Sequence, residues 1–132
     1  MSQWRMATPF NVMFTGSENI RYLNAEAKQR LDKIMSAGAG IISGNYRGAD
    51  QMVLEYLAKN SYPNVRVAET GSRMAFGYPI EDLGRYPKQD IYMRNNSDYL
   101  LAFHDGISKG TQRNIDYYPR KDRIRIVRFD DF

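Results

Sequence analysis

The chain contains no cysteine and only one histidine, His104. Without cysteine it can form neither disulfides nor thiolate zinc sites, so nothing in it requires an oxidising compartment. A single histidine also argues against a transition-metal site, because imidazole is the other main ligand for such ions. We therefore expect no metal and no other cofactor.

Long apolar runs are missing as well. No stretch approaches the ~20 apolar residues of a membrane helix, and residues 1–6 are too short and polar for a signal peptide. We expect a cytoplasmic protein with no membrane partner. The 132 residues suit one domain with a single core, in which residues 1–10 form a lead-in.

Positive charge is in modest excess, with a net charge of +4. Part of this excess lies near the end of the chain, in Arg120, Lys121, Arg123, Arg125 and Arg128. An edge strand protected from aggregation by charge has the same composition. The charge therefore favours anionic partners, and nucleic acid in particular only weakly.

Strand and helix patterns alternate along the sequence. Short apolar runs predict strands at 11–15, 40–43, 65–68, 99–103 and 123–128, and helical periodicity predicts helices at 24–37, 50–60, 87–96 and 112–118. Alternation of this kind predicts an α/β fold with an open parallel sheet and helices on both faces. We expect three layers and five strands in the order 3-2-1-4-5.

Glycine-containing loops follow strands 1, 2 and 4 of this prediction. They are Gly16-Ser17, Ser43-Gly44 with Arg47-Gly48-Ala49-Asp50, and Gly106-Ile107-Ser108-Lys109-Gly110-Thr111. In the expected strand order they meet at the switch point where such folds bind ligands. A strand, a glycine loop and a helix start form an anion site, because unpaired N–H groups and the helix dipole favour negative charge. None of them matches the usual dinucleotide or P-loop patterns.

Residues 70–87 have no periodicity and are interrupted by glycine and proline. A loop of this length in a compact domain is either functional or disordered. We interpret it as a lid over an anionic, aromatic ligand, because its side chains include Arg73, Phe76, Tyr78, Arg85 and Tyr86.

The loop motifs, together with Arg94-Asn95, resemble the SLOG superfamily of Rossmann-like nucleotide-binding domains over roughly residues 11–127. Members of this superfamily include the LONELY GUY phosphoribohydrolases, the deoxynucleoside-monophosphate glycosidases and the DNA-processing protein DprA. The resemblance implies a Rossmann-like fold, a nucleotide or nucleotide-derived ligand, and a homo-oligomer, specifically a dimer.

The resemblance also implies roles for particular residues. The amides of Gly16, Ser17, Gly110 and Thr111 would hold phosphate, Arg47, Lys109 or Arg94 would neutralise it, and Asp50 would contact sugar or base; Ser43, Gly44, Gly48 and Ser108 complete the set. Each residue also has an ordinary structural interpretation. Asp50 suits the first turn of a helix for its dipole alone, and Arg47, Lys109 and Arg94 suit a solvated surface.

Catalysis is a separate question. In the phosphoribohydrolases the similar loop reads Pro-Gly-Gly-x-Gly-Thr-x-x-Glu, whereas here Gly110-Thr111 leads to Asn114, whose amide is neither a base nor a nucleophile. The remaining candidates are Glu18, Asp50 and Asp105, each of which also suits a loop acid. His104 suits a polar strand end more than a base. We therefore expect nucleotide binding or sensing, with two alternatives: an N-glycosidase of nucleoside monophosphates, and DprA-like binding of single-stranded DNA.

Overall fold

The structure, a computed structural model, describes residues 7–69, 75–85 and 87–129. Its elements in chain order are β1 (Asn11–Gly16), α1 (Ala25–Ser36), β2 (Gly40–Gly44), α2 (Ala49–Lys59), β3 (Val65–Ala68), β4 (Ile80–Glu81), α3 (Lys88–Asn95), β5 (Tyr99–His104), α4 (Lys109–Tyr117), a 3₁₀ turn (Lys121–Arg123) and β6 (Ile124–Arg128). No helix in these ranges combines the length and the apolar character that a membrane crossing requires.

The strands form one parallel sheet in the order β4-β3-β2-β1-β5-β6. The predicted order 3-2-1-4-5 is confirmed, with β5 and β6 as its fourth and fifth strands. The predicted count of five is one too few, because Ile80–Glu81 adds an edge strand beside β3. Two residues are too short for a strand periodicity to be detected, so the sequence carried no signal for β4.

Helices cover both faces of the sheet, which confirms the three-layer prediction. Along β1, Val12 and Phe14 point into a core shared with α1 and α2. Met13 points the other way, into a second cluster with Met93 of α3 and Tyr118 beyond α4. Because both faces are covered, the central strands β1, β2 and β5 are buried along almost their whole length. The edge strand β6 instead carries Arg125 and Arg128 at exposed positions.

The ends of α1 follow the sequence prediction. The Oδ1 atom of Asn24 accepts a hydrogen bond from the backbone N–H of Ala27 at 2.8 Å, which satisfies one of the free donors of the first turn. Beyond the other end, Gly38 has φ +70°, the left-handed conformation that terminates many helices. Local sequence chemistry is sufficient to define this helix.

The start of α4 differs from the prediction. The helix begins at Lys109 and not at Gln112, so Gly110 and Thr111 belong to its first turn and not to the preceding loop. The reason lies outside the helix. Asp105 accepts hydrogen bonds from the N–H groups of Ile107 and Ser108, which turns the chain into the helix early.

Part of the predicted lid lies outside the described residues, namely 70–74 and 86, which include Arg73 and Tyr86. Of the other residues assigned to it, Phe76 and Tyr78 pack against the core on the α1 and α2 side. The Tyr78 hydroxyl also donates a hydrogen bond to the carbonyl of Tyr62 at 2.6 Å. Arg85 is exposed. The described contacts of these two aromatic side chains are therefore packing contacts with the core, and the lid stays a prediction.

Candidate functional site

A cleft of about 410 Å³ lies at the carboxyl edge of the sheet, where β1 has β2 on one side and β5 on the other. Parallel strands place the loops that follow them at one edge of the sheet. A cleft forms at β1, where the strand order reverses, because the later crossovers lie on opposite sides of this strand. Residues from 14–19, 44–50 and 107–114 line the cleft, and α3 contributes Asp90 and Met93. The loops after β1, β2 and β5 therefore converge as the strand order predicts.

The predicted binding residues divide into three groups. Six of them line the cleft: Gly16, Gly44, Asp50, Ser108, Gly110 and Thr111. Three are buried behind its wall: Ser17, Ser43 and Gly48. The three cations, Arg47, Lys109 and Arg94, are absent from the lining formed by the described residues. The role of these cations in neutralising a phosphate in the cleft is therefore not supported by their positions.

Ser17 connects the three loops from inside the protein. Its N–H donates to the carbonyl of Phe103 at 3.0 Å, and its carbonyl accepts from the N–H of Ala49 at 3.2 Å. Its Oγ lies 3.2 Å from Thr111 Oγ1 and accepts from the N–H of Asp105 at 3.2 Å. Because its amide already has an acceptor, Ser17 is not available as the phosphate-binding donor that the sequence predicted.

Glycine is required at two positions near the start of α2. A Cβ at Gly48 would lie 2.2 Å from the backbone oxygen of Glu18, and its φ of +78° is unfavourable for other residues. A Cβ at Gly16 would lie 2.3 Å from the Cβ of Ala49. Close packing between the first loop and α2 accounts for both glycines without a ligand.

Asp50 lies in the first turn of α2 and is 3% exposed. One of its carboxylate oxygens accepts a hydrogen bond from the N–H of Tyr46 at 3.1 Å, which holds the second loop against the helix. The same side chain lines the cleft. Asp50 therefore combines the structural role with a position from which it can contact a ligand.

The start of α4 is open towards the cleft. A Cβ at Gly110 would meet no atom within 4 Å. No side chain caps the helix, and its first turn contains no acidic residue. The N–H groups of a first helical turn have no partners within the helix, and the helix dipole places partial positive charge there. With Gly110 and Thr111 in the cleft lining, this helix end can accept an anion.

Asp105 orders the loop that precedes α4. Its Oδ1 accepts from the N–H groups of Ile107 at 3.0 Å and Ser108 at 2.8 Å. Burial tends to raise the pKa of this carboxyl, but those two N–H groups, with the side chains of Ser17 and Asn19, outweigh burial and lower it. Asp105 is not among the residues that line the cleft and makes the contacts of a turn residue, so its position lends no support to the predicted catalytic role.

His104 has both ring nitrogens engaged. Its Nδ1 accepts from the N–H of Gly106 at 3.0 Å, which assigns the proton to Nε2, where it is donated to Oε1 of Gln112 at 3.0 Å. The ring is 3% exposed. This is the geometry of a satisfied polar residue at a strand end.

Asn114 lies at the position where the phosphoribohydrolase motif has glutamate. Both polar atoms of its side-chain amide are hydrogen-bonded within the protein. Its amide nitrogen donates to Thr15 Oγ1 at 3.0 Å, and its amide oxygen accepts from Nη1 of Arg94 at 3.0 Å. The Arg94 guanidinium also lies 5.8 Å from the ring centre of Tyr117. These contacts hold Arg94 behind the cleft wall.

Asp90 and Arg113, which no sequence motif marked as candidates, also line the cleft. Burial raises the pKa of the Asp90 carboxyl, and Arg94, Asn114 and Arg113 oppose that shift without cancelling it. The spacing along the sequence could have indicated both residues, since residues three or four apart on a helix share a face. Asp90 stands four residues before Arg94, and Arg113 stands three residues after Gly110.

Carboxylates outnumber cations in the cleft. Among its described lining residues, Glu18, Asp50 and Asp90 are acidic, and Arg113 is basic. Among all the residues that the structure describes, no cluster of three or more histidine, aspartate or glutamate side chains is arranged to hold a metal ion. The lining also has an apolar part, in which Tyr46 is 40% and Ile107 76% exposed.

Comparisons of the chain with protein-family models, with curated proteins and with solved structures find no match. The resemblance to the SLOG superfamily therefore remains a prediction supported by the residues of this sequence.

Proposed function

We propose that the cleft binds a nucleotide or a nucleotide-derived ligand, with its phosphate at the start of α4. The observation that carries this proposal is the open helix end at Gly110, which lies in a cleft at the switch point of the sheet. Helix N-termini at this position in parallel sheets bind phosphate through backbone N–H groups and the helix dipole.

The apolar part of the cleft lining suits the nucleoside. Tyr46 and Ile107 present exposed apolar surface against which a base can stack or pack. The Asp50 carboxylate is fixed in position and accepts hydrogen bonds, as contact with a ribose hydroxyl or with an amino group of a base requires. These features support a nucleoside component in the ligand.

The charges of the cleft limit the number of phosphate groups that the ligand can carry. With three carboxylates and one guanidinium among the described lining residues, a chain of several phosphates would meet like charge. Binding through backbone N–H groups is compatible with one phosphate or two. We therefore expect a nucleoside mono- or diphosphate to bind more tightly than a triphosphate.

A thermal-shift assay with a panel of nucleotides tests the proposal. A ligand that binds only the folded state must raise the melting temperature. Gly110→Asp places a carboxylate where the phosphate would lie, and the open space at Gly110 accommodates it. We expect a nucleoside mono- or diphosphate to stabilise the wild type and the control Gly110→Ala, but not Gly110→Asp. If no nucleotide of the panel shifts the wild type, the proposal is wrong.

The carboxylates favour a second candidate function, cleavage of the N-glycosidic bond of a nucleoside monophosphate. Such a reaction needs a carboxylate near the anomeric carbon and a group that protonates the leaving base. Asp90, whose pKa is raised by burial, suits proton donation, and Glu18 and Asp50 line the same cleft.

We nevertheless expect no turnover above background, because no motif pairs these carboxylates and Asn114 is engaged by Thr15 and Arg94. For the same reason Asn114→Glu alone should not create activity. Chromatography of nucleoside monophosphates incubated with the protein is the measurement. Free base released by the wild type and lost in Asp90→Asn, Glu18→Gln or Asp50→Asn would replace the binding function by the enzymatic one.

A further inference from the structure

A second cavity, of about 280 Å³, lies at the opposite edge of the sheet, where β1, β5 and β6 begin beside α1. We call it the amino-edge groove. Its floor is aliphatic and consists of Val12, Ile34, Leu100, Leu101 and Ile124. Since the parallel strands run away from it towards the cleft, the groove is separate from the proposed nucleotide site.

Four cations line this groove against one acid. Arg30 and Lys33 come from α1, Arg123 from the 3₁₀ turn and Arg125 from β6, and the acid is Asp122. Lys33, Arg123 and Arg125 are exposed. Within the described residues, no hydrogen bond or ion pair engages the side chains of Arg30, Lys33 and Arg125. The groove therefore combines an apolar floor with uncompensated positive charge.

We propose that the amino-edge groove binds an acidic peptide segment of a partner protein, with one large apolar side chain of that segment on the aliphatic floor. Charge complementarity indicates the acidic character, because opposite charges at the rim of an interface steer association and set its specificity. At about 280 Å³ the cavity lies at the small end of the roughly 300–1,000 Å³ range of pockets for drug-sized molecules, and it has room for one large apolar side chain.

Single-stranded nucleic acid is the competing anionic partner, and the groove suits it less. Such strands bind by stacking their bases on exposed aromatic faces. The aromatic side chains of the groove are Phe10 and Tyr99, which pack edge to face with their ring centres 5.3 Å apart. The guanidinium of Arg123 already lies over the Tyr99 ring, 5.1 Å from its centre. The floor is otherwise aliphatic, as an apolar side chain requires.

Fluorescence anisotropy with a labelled synthetic peptide tests the proposal; the peptide carries one central tryptophan flanked by aspartate and glutamate residues. We expect binding that weakens with added salt, because exposed charges are screened. Lys33→Glu should weaken it by roughly tenfold, as reversal of a rim charge does. Lys28→Glu makes the same charge change on an exposed residue of α1 outside the groove and should have little effect. Arg125→Glu, on a different element, should repeat the loss.

Two further binding measurements distinguish an acidic peptide from single-stranded nucleic acid as the partner. Replacing the tryptophan of the peptide by alanine should abolish binding, and a single-stranded oligothymidylate should bind more weakly than the peptide. The proposal is overturned if the peptide does not bind, if Lys28→Glu weakens binding as much as Lys33→Glu, or if the oligothymidylate binds more tightly. A nucleotide-induced rise in melting temperature should persist in Lys33→Glu, so the groove and the cleft can fail independently.

Discussion

Two helices begin at the cleft, and their N-termini differ in what occupies them. At α2 the first loop lies directly on the helix end: Ala49 donates its N–H to the carbonyl of Ser17, and Gly48 leaves no room for a Cβ. The Asp50 carboxylate already balances the dipole there. At α4 the first turn has neither a capping side chain nor an acid, and Gly110 faces open space.

The difference shows that similar glycine motifs can serve opposite purposes. Gly48 is needed because another part of the chain packs on it, whereas Gly110 leaves space that the chain itself does not fill. The N-terminus of α2 is thus satisfied by the protein, and that of α4 is available to a ligand. Substitution of Gly48 should therefore change stability, and Gly110→Asp should change ligand binding.

Gly48→Ala should have the largest effect. The new Cβ would clash with the backbone oxygen of Glu18 at 2.2 Å, at a positive φ that side-chain-bearing residues rarely adopt. We expect the free energy of unfolding to fall by about 3 kcal/mol, since overpacking costs roughly 1–3 kcal/mol and a sparsely populated backbone conformation roughly 1–3 kcal/mol. Urea denaturation measures it. Stability close to that of the wild type would contradict the close packing at α2.

Asp105→Ala should cause the second largest loss in the free energy of unfolding. It removes the acceptor of two N–H groups in the loop that leads into α4, which should cost about 1–3 kcal/mol. Asp105→Asn keeps an acceptor oxygen and is the matched control, with a smaller loss. Urea titrations at neutral pH compare the three proteins.

The loss of stability caused by Asp105→Asn should depend on pH in a direction that follows from the pKa of Asp105. Because the pKa of Asp105 is lowered in the folded protein, its stabilisation is present above the ordinary pKa of a carboxyl and is lost as the pH falls through the lower, folded value. The difference in stability between wild type and Asp105→Asn should therefore narrow in acid. A difference that grows in acid would contradict the assigned role.

Gly110→Ala should change stability little and in the opposite direction from Gly48→Ala. The added methyl group meets nothing within 4 Å, and alanine in a helix is more favourable than glycine by roughly 0.5–1 kcal/mol. We expect a free energy of unfolding equal to or slightly above that of the wild type. A destabilised Gly110→Ala would show that α4 is not open.

Asp90→Asn should have the smallest effect, and it should be a gain. Burial raises the pKa of Asp90 in the folded protein, so the cost of its charge is absent below the ordinary carboxyl pKa and grows as the pH rises through and above it. Asp90→Asn should raise the melting temperature at neutral pH and not in acid. The same change at the exposed Asp122 is the control and should leave the melting temperature at neutral pH close to that of the wild type.

Much of the fold could be predicted because its signals are local. The Asn24 cap and the apolar face around Leu31 defined α1, and the buried runs at 40–43 and 99–103 defined two strands. Alternation of strands and helices then led to the sheet order. The early start of α4 escaped prediction, because it depends on Asp105 and on contacts that a helical period does not encode.

By itself the sequence determined the helices, five of the six described strands, the three layers and the edge of the sheet at which the loops meet. Hydrophobic periodicity and chain direction specify these features. Tertiary structure decided which of the candidate polar residues face the cleft and which lie behind its wall. Ser17 meets Thr111 across 94 positions of the chain, and Asp90 reaches the cleft from a helix that no loop motif marked. The direction of a side chain depends on such distant neighbours, which local patterns do not record.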